Sequence, residues 1–533
     1  MNSIKSRVEG NYKSRWTASR WGIWLPLAVL ILATLACSRA DVPSQGAIGS
    51  GGLPSPTSQT APLAEPSEMI LPLIPSATET PARPEPLASP TFPATPTTIS
   101  MEEPELLLYE AQPGDSIHSV AVRFGVLPEE VGSPDPLPIN AGLIDPGQLL
   151  LIPRRLTDIG SDERLIPDSE LIFSPHASDF NAVEFAAGQG GYLQRYRQIV
   201  GTRWLSGAEV VEQVALHNSI NPRLLLAMVE YIAGWVTDPT VPDGDAFNYP
   251  MGNVDDQIPG LYRQLTWLAN ELGNGYYGWR AGTLTDVRFW NIGSLRLAPD
   301  LNAGTVALQH FFSIGNSRQV WEAAISQEGF LRVYRDLFGD PWTYEYPLFE
   351  PGVEQPDLIL PFEPGKIWSY TGGPHGAWER ESAWAALDFA PASSVSGCVV
   401  SEEWVVAAAP GIVVRSENGT VILDLDGDGR EHSGWSLLYL HVDPKDRVQV
   451  GSLLEEGDRI GHPSCEGGIA TGTHIHIARM YNGEWILADG PISFNLDGWV
   501  ARAGSIPYQG ALVRDGQEVL ACPCASHETL ITR

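Results

Sequence analysis

The sequence has few basic residues for its length. Its 533 residues include 33 Lys and Arg against 64 Asp and Glu, a formal net charge of -31 at pH 7. The phosphates of nucleic acids repel a chain with this charge, so nucleic-acid binding is excluded. Cysteine is also scarce: five residues exclude a small fold held together by disulfides. The length instead predicts several domains, each with a hydrophobic core.

A long hydrophobic run is present only near the N-terminus, where Trp21 to Ala36 follows a basic region and precedes Cys37. Residues 1–36 resemble a bacterial lipoprotein signal peptide. The resemblance implies export, cleavage before Cys37 and acylation of that cysteine at the membrane. An uncleaved membrane anchor is the alternative, although the run is shorter than the roughly 20 residues of a spanning helix. Both interpretations predict an extracytoplasmic protein that is held at the cell membrane and faces the cell wall.

The segment 37–104 is rich in Pro, Ser and Thr and poor in aromatic residues. Such a composition cannot bury enough apolar surface to offset the loss of chain entropy. It predicts a disordered linker.

Residues 105–156 combine a QPGDS turn, a helical apolar pattern from Ile117 to Phe124 and a strand at Leu149 to Ile152. These motifs resemble the LysM module, which implies a βααβ fold and binding of peptidoglycan glycan. By this resemblance the sugar groove lies between two loops, Gly114, Asp115, Ser116 and Ile117 in one and Leu143, Ile144, Asp145 and Pro146 in the other. The Pro-rich stretch 132–138 departs from the pattern, and a module without ligand is the alternative.

Residues 165–350 carry amphipathic helical patterns, among them 261–272 and 320–338. The segment 221–235 resembles the core helix of lysozyme-like lytic transglycosylases. Those enzymes carry Glu-Ser where this chain has Ile232 and Ala233. Glu230 lies two positions earlier, about 200° around the helix, and should point away from a cleft. The segment is therefore predicted to be a non-catalytic helical domain that binds the wall or acts as a spacer.

From residue 358 to 533 the apolar pattern changes to a period of two, which predicts an antiparallel β domain. Six of the eleven histidines fall between His375 and His476. His474 and His476 are two positions apart, so in a strand both project from one face. Tyr439 and His441 are predicted to share a face of another strand in the same way.

The carboxylate of Asp388 stands among apolar neighbours and calls for a partner or a metal. Zinc accepts imidazole and carboxylate ligands, and catalytic zinc sites leave one position open. These residues, with the GGIATGTHIH segment ending at His476 and the turn Val450 to Gly461, resemble the lysostaphin and β-lytic (LytM-type) zinc metalloendopeptidases.

The resemblance implies that His375, Asp388 and His476 bind Zn²⁺ and that His441 and His474 are catalytic. The commoner members carry His four residues before the Asp, where this chain has Trp384. The β-lytic branch instead has Gly-Gly-x-His, and Gly372 to His375, thirteen positions before Asp388, fits that spacing.

Three further features of this domain allow predictions. Cys398 and Cys465 are disulfide candidates, while Cys522 and Cys524, separated by one residue, leave free thiols or crossed pairing open. The loop beginning at Asp424 starts like a calcium loop but has Trp435 at its twelfth position, which favours an acidic turn. His432 and His462 lie outside the motif and are predicted to be surface residues.

Together these features predict a multidomain α+β protein: a LysM module, a helical middle domain and a C-terminal antiparallel β metallopeptidase domain. The predicted function is a membrane-anchored peptidoglycan hydrolase that uses zinc to cleave peptide cross-links while the LysM module holds glycan. Two alternatives remain. One is a degenerate LytM-type scaffold that activates a separate amidase, and the other is a non-enzymatic adhesin that binds peptidoglycan.

Overall fold

The computed structural model describes residues 105–138, 142–378, 382–393, 397–524 and 526–533. The predicted signal peptide, Cys37 and the linker 37–104 lie outside these residues. Within the described residues, no helix has both the length and the apolar character needed to cross a membrane.

The N-terminal module contains two antiparallel strands, β1 (Leu106–Glu110) and β2 (Leu149–Pro153), and helix α1 (Ile117–Phe124). Ser116 caps the start of α1, and Gly125, with φ 67°, ends it. The predicted second helix is absent from the described part of the module, where the chain makes only a 3-10 turn (Pro128–Glu130). The prolines of 132–138 explain this difference, because each lacks an N–H donor and restricts the residue before it.

The middle region is mainly helical. Its helices are α2 (Asp168–Leu171), α3 (Ala182–Gln189), α4 (Gly207–Asn218), α5 (Pro222–Ala233), α6 (Gly244–Asn248), α7 (Leu261–Arg280), α8 (Ala303–Ser313), α9 (Arg318–Ile325) and α10 (Phe330–Phe338). Two hairpins that the sequence analysis missed also belong to it, β3 (Arg197–Val200) with β4 (Arg203–Ser206) and β5 (Asp286–Phe289) with β6 (Gly293–Arg296).

The helix predicted over 320–338 is divided into α9 and α10 at Ser326 to Gly329. A Cβ atom at Gly329 would lie 2.3 Å from the carbonyl oxygen of Ala323, so the chain folds back there at a distance that only glycine allows.

The C-terminal region is built on an antiparallel sheet, whose strands are β7 (Ile367–His375), β8 (Ala386–Pro391), β10 (Gly411–Glu417), β11 (Thr420–Asp424), β12 (Trp435–Leu440), β13 (Leu453–Leu454), β15 (Ile475–Tyr481), β16 (Glu484–Trp485) and β21 (Leu530–Thr532). Their order in the sheet is β13-β10-β11-β12-β15-β8-β7-β21, with β16 paired to β15. The remaining strands are β9 (Val405–Val406), β14 (Arg459–Gly461), β17 (Asn495–Leu496), β18 (Trp499–Ala503), β19 (Gly510–Arg514) and β20 (Gln517–Leu520).

The two faces of this sheet pack in different cores. On one face, Leu438, Ala478 and Met480 join the hydrophobic core of the helical region. On the other, Tyr439 and Ile477 belong to a second core within the C-terminal region. The helices and the sheet therefore share one core, and separating them would expose apolar side chains on the sheet.

Arg280, at the end of α7, joins all three regions. Its guanidinium is paired with Asp168 at 3.0 Å and with Glu484 of β16 at 3.2 Å, and it donates to the carbonyl oxygen of Pro113 in the N-terminal module. Burial raises the pKa of Glu484, an effect that the charge of Arg280 opposes. The three side chains are nearly enclosed, so each charge depends on the others for compensation.

Candidate metal centre

Three neighbouring strands bring His375, Asp388 and His476 together. His476 lies directly opposite Asp388 in the register of β15 and β8. On the other side of β8, irregular pairing between Gly372 and His375 turns the end of β7 toward the same point. The sequence prediction that His375 is the histidine near Asp388 agrees with this placement.

The three ligand atoms converge. His375 Nε2 lies 3.0 Å from His476 Nδ1, and Asp388 Oδ1 lies 3.2 Å from each of these nitrogens. Zinc–ligand bonds of 2.0–2.1 Å in a tetrahedron would separate the ligand atoms by roughly 3.3 Å. The observed spacing therefore fits one zinc-sized cation.

Hydrogen bonds to backbone carbonyls fix which nitrogen of each ring faces the centre. His375 Nδ1 lies 2.7 Å from the carbonyl oxygen of Gly373, and His476 Nε2 lies 2.9 Å from that of Ala377. Because a carbonyl oxygen only accepts, these nitrogens carry the protons. His375 Nε2 and His476 Nδ1 then present lone pairs to the centre, as metal ligands require.

The centre has the electrostatic character of a cation site. Asp388 Oδ1 is buried and has no hydrogen-bond donor among the described residues, so it faces two nitrogen lone pairs. Burial alone would raise the pKa of Asp388, but the positive charge of His375 and His474, when these rings are protonated, holds that pKa well below its usual range. Burial lowers the pKa of His476. Three buried acceptor atoms in contact need a proton or a metal ion among them.

His441 and His474 lie beside this centre. Their ring centroids are 4.4 Å apart, and His474 Nε2 is 3.7 Å from Asp388 Oδ1. His441 Nδ1 is hydrogen-bonded to the carbonyl oxygen of Glu466, and His474 Nδ1 to that of Gly472. In this tautomer each ring, when neutral, offers Nε2 as an acceptor. Burial, with help from His474 and His476, lowers the pKa of His441 to about 3, so it stays neutral.

The prediction that Tyr439 and His441 share a strand face is wrong. The strand β12 ends at Leu440, and His441 has φ 74°, which turns its side chain toward the centre. Tyr439 points into the opposite core, where its hydroxyl accepts a hydrogen bond from the backbone N–H of Ala408. A positive φ at a residue other than glycine is uncommon and is often found at functional sites.

Sequence reasoning missed Tyr508, which like His441 has a positive φ, of 69°. Its ring stacks on His375, with centroids 4.1 Å apart, and its backbone pairs with Gly373 and Pro374. The ring therefore braces one of the three converging side chains. Nothing in the local sequence signals this contact, because Tyr508 is far from His375 along the chain.

The two loops predicted to form the glycan groove do meet, through a hydrogen bond from Ile144 N to Asp115 O. The first loop, however, lies against the helical region: Arg280 covers Gly114, and a Cβ atom there would lie 2.3 Å from the guanidinium. Asp115 and Ser116 are buried, and Ile117 and Leu143 are half-buried. In the second loop Ile144 is buried, Pro146 is half-buried and Asp145 is exposed.

Glu230 is held by its neighbours rather than aimed at a cleft. Its carboxylate accepts hydrogen bonds from the backbone of Val236 and Thr237 and from the Thr237 hydroxyl. The interactions join the end of α5 to the following loop.

The four cysteines among the described residues form two disulfides. Cys398 and Cys465 form a disulfide with Cα atoms 5.6 Å apart, and Cys522 is bonded to Cys524.

In the acidic loop, Asp424 accepts hydrogen bonds from three backbone N–H groups, two of them from Gly427 and Gly429. This is the arrangement of a turn stabilised by a buried carboxylate.

The prediction that His432 and His462 are surface residues is wrong: they are only 4% and 3% exposed. His432 stacks on Phe173 of the helical region, and His462 packs on Trp404. For His432 the prediction failed because the sequence does not show that Phe173 of the helical region covers the ring. For His462 it failed because the sequence does not show the contact with Trp404 within the C-terminal region.

Acid should destabilise the protein through His432. Burial lowers its pKa to about 4, against about 6.5 in the unfolded chain. Because the folded-state pKa lies below the unfolded value, the neutral ring contributes to folding stability. This contribution is fully present above pH 6.5 and is lost as the pH falls toward 4. We expect a loss of about 2 kcal/mol from this residue at pH 5, measured by urea unfolding. The variant His432→Phe should lose correspondingly less between pH 7 and pH 5. Equal losses in both proteins would contradict this assignment.

Comparisons with known proteins agree with parts of this architecture. The family model described as LasA, N-terminal domain, matches residues 164–351. The match lies in the part of the chain predicted to be a helical domain. The bounds of that domain and the likeness of its core helix to lytic transglycosylases stay predictions.

Protease LasA from Pseudomonas aeruginosa (strain UCBPP-PA14) is 24% identical over 324 residues, which span 56% of this chain and 72% of that protein. The M23 metalloprotease pseudoalterin is 21% identical, with a TM-score of 0.27, over 34% of this chain and 99% of its own. For the catalytic domain of lysostaphin from Staphylococcus simulans the identity is 22% and the TM-score 0.17, over 23% of this chain and 87% of that domain. The chain is therefore similar to protease LasA over more than half of its length.

Proposed function

We propose that this protein is a zinc-dependent endopeptidase that cleaves peptide cross-links in peptidoglycan. The observation that supports the proposal best is the convergence of His375 Nε2, Asp388 Oδ1 and His476 Nδ1 within 3.2 Å of one another. These atoms would hold Zn²⁺, which, when bound, polarises a carbonyl group and lowers the pKa of water. The similarity to protease LasA supports peptidase activity.

His474 serves as the general base. Its Nε2 is an acceptor because Nδ1 donates to Gly472, and it lies 3.7 Å from Asp388 Oδ1, next to the ligand atoms. It takes a proton from the attacking water and returns it to the leaving amine.

His441 orients the water rather than donating to an oxyanion. Donation from Nε2 would need the protonated ring, and burial holds the pKa of His441 at about 3. Its Nδ1–H is already committed to the carbonyl oxygen of Glu466. The neutral ring therefore accepts a hydrogen bond from water at Nε2.

Two further interactions would hold the chain at the cell wall. Acylation of Cys37 would hold the chain at the membrane, and residues 105–156 would contact glycan. Asp145 is exposed, although its Oδ1 accepts a hydrogen bond from Gly352 N at 3.0 Å, and Pro146 is half-buried, so both residues can be reached for such a contact. A glycan at Gly114 would have to displace Arg280.

Release of dye from labelled peptidoglycan tests the function. We expect the purified chain to release dye, a chelator to stop the release, and added zinc to restore it. A scaffold or an adhesin would release none under any of these conditions. Dye release that is unaffected by the chelator would show a hydrolase that does not need the metal.

A further inference from the structure

We propose that Trp378 and His217 position the metal ligand His476 by fixing the Ala377 carbonyl, so that the helical region contributes to metal binding. The inference rests on the proposed function, because it concerns the affinity of the centre for zinc. Neither residue belongs to the ligand set or to the motifs that the sequence analysis identified.

The chain of contacts begins at His476. Its Nε2 donates to the carbonyl oxygen of Ala377 at 2.9 Å, and this hydrogen bond leaves Nδ1 free to face Asp388. If the carbonyl moved away, the other tautomer would be equally available, and the ring could turn. Groups that hold a ligand histidine in this way typically change metal affinity 10–100-fold when removed.

The position of Ala377 is set both within its own loop and by the helical region. The Ala377 N–H donates to the carbonyl oxygen of Ala383 at 2.8 Å, and the Trp378 N–H donates to Ser382 Oγ at 3.2 Å.

The helical region adds a side-chain contact. Ala377 is fully buried in the core that the sheet shares with the helices. The next residue, Trp378, stacks on His217 of α4, with centroids 4.0 Å apart and an angle of 26° between the rings. Arg415 of β10 approaches the same ring at 5.9 Å. The indole is therefore the side-chain contact through which α4 helps to fix this carbonyl.

His217 suits this role because it is itself held in place. Its Nε2 lies 2.6 Å from Gln213 Nε2 one helical turn earlier, so the amide donates to the ring. Two flat rings in contact at this distance have a defined relative orientation, which a flexible side chain could not provide.

Zinc affinity, measured by competition with a chelator, tests the inference in the full chain. We expect Trp378→Ala to weaken zinc binding about 10-fold. His217→Ala should weaken it several-fold, whereas Trp378→Phe, which keeps a stacking ring, should stay within about threefold of the wild type. If Trp378→Ala does not fold, the zinc affinity of His217→Ala alone tests the inference.

The matched control is Phe349→Ala. Phe349 stacks on Tyr481 at the same interface between helices and sheet but has no link to Ala377. We expect this variant to lower Tm with unchanged zinc affinity. If Trp378→Ala and His217→Ala behave like Phe349→Ala, the two residues are merely structural and the inference is overturned. If the wild type itself binds no zinc, the proposed function fails, and this inference fails with it.

Discussion

Replacing His474 with alanine is expected to lower kcat for peptidoglycan cleavage about 1000-fold while leaving zinc bound. The size follows from the contribution of a positioned general base, typically 100- to 10,000-fold. Zinc should remain because His474 Nδ1 is bonded to Gly472 and its Nε2 is 3.7 Å from Asp388, outside the set of three converging atoms. Single-turnover rates and zinc content, measured on the same preparation, check both parts.

The control for this variant is His118→Ala, which removes an exposed histidine of the N-terminal module. It should match the wild type in kcat and in zinc content. If His474→Ala loses its zinc along with its activity, His474 is a ligand and the division of roles proposed for the histidines is wrong.

Replacing Arg280 with alanine is expected to cost about 3–5 kcal/mol of folding stability, the usual effect of removing one partner from a buried ion pair. Glu484 and Asp168 would remain buried without their cation, and the Pro113 carbonyl would lose its donor. Because this guanidinium joins the module, the helices and β16, its loss should also increase proteolysis between the regions. Urea unfolding and limited proteolysis measure the two effects.

A second substitution separates the lost charge from the lost packing. Glu484→Gln removes one uncompensated carboxylate, so the double variant with Arg280→Ala should be more stable than Arg280→Ala alone. A double variant whose stability loss equals the sum of the two single losses would show that the pair is not coupled.

Part of the candidate metal centre was predicted from the sequence on physical grounds, and the rest was implied by a family resemblance. Alternation in a strand places His474 and His476 on one face. The burial of Asp388 among apolar neighbours called for a cation. The choice of His375, in contrast, came from the resemblance of the segment Gly372 to His375 to the β-lytic branch. Each of these signals lies within a short stretch of sequence, so it can be recognised without the tertiary structure.

The features that the sequence did not predict depend on contacts between distant segments. The alternation of a strand predicted that the side chains of Tyr439 and His441 lie on the same face. The positive φ of His441 instead turns its side chain away from the core that holds Tyr439. His432 carries no local sign that Phe173 covers it. The stacking of Tyr508 on His375 and of His217 on Trp378 likewise joins segments that no motif connects. Periodicity describes one element at a time, whereas these contacts arise where elements pack.

The most direct test of the metal centre is the zinc content of the purified chain and of His375→Ala, measured by elemental analysis after dialysis against trace zinc. We expect close to one zinc per chain in the wild type and in His118→Ala, and close to none in His375→Ala. Equal zinc in the wild type and His375→Ala would contradict the account, because the cation would then be held elsewhere.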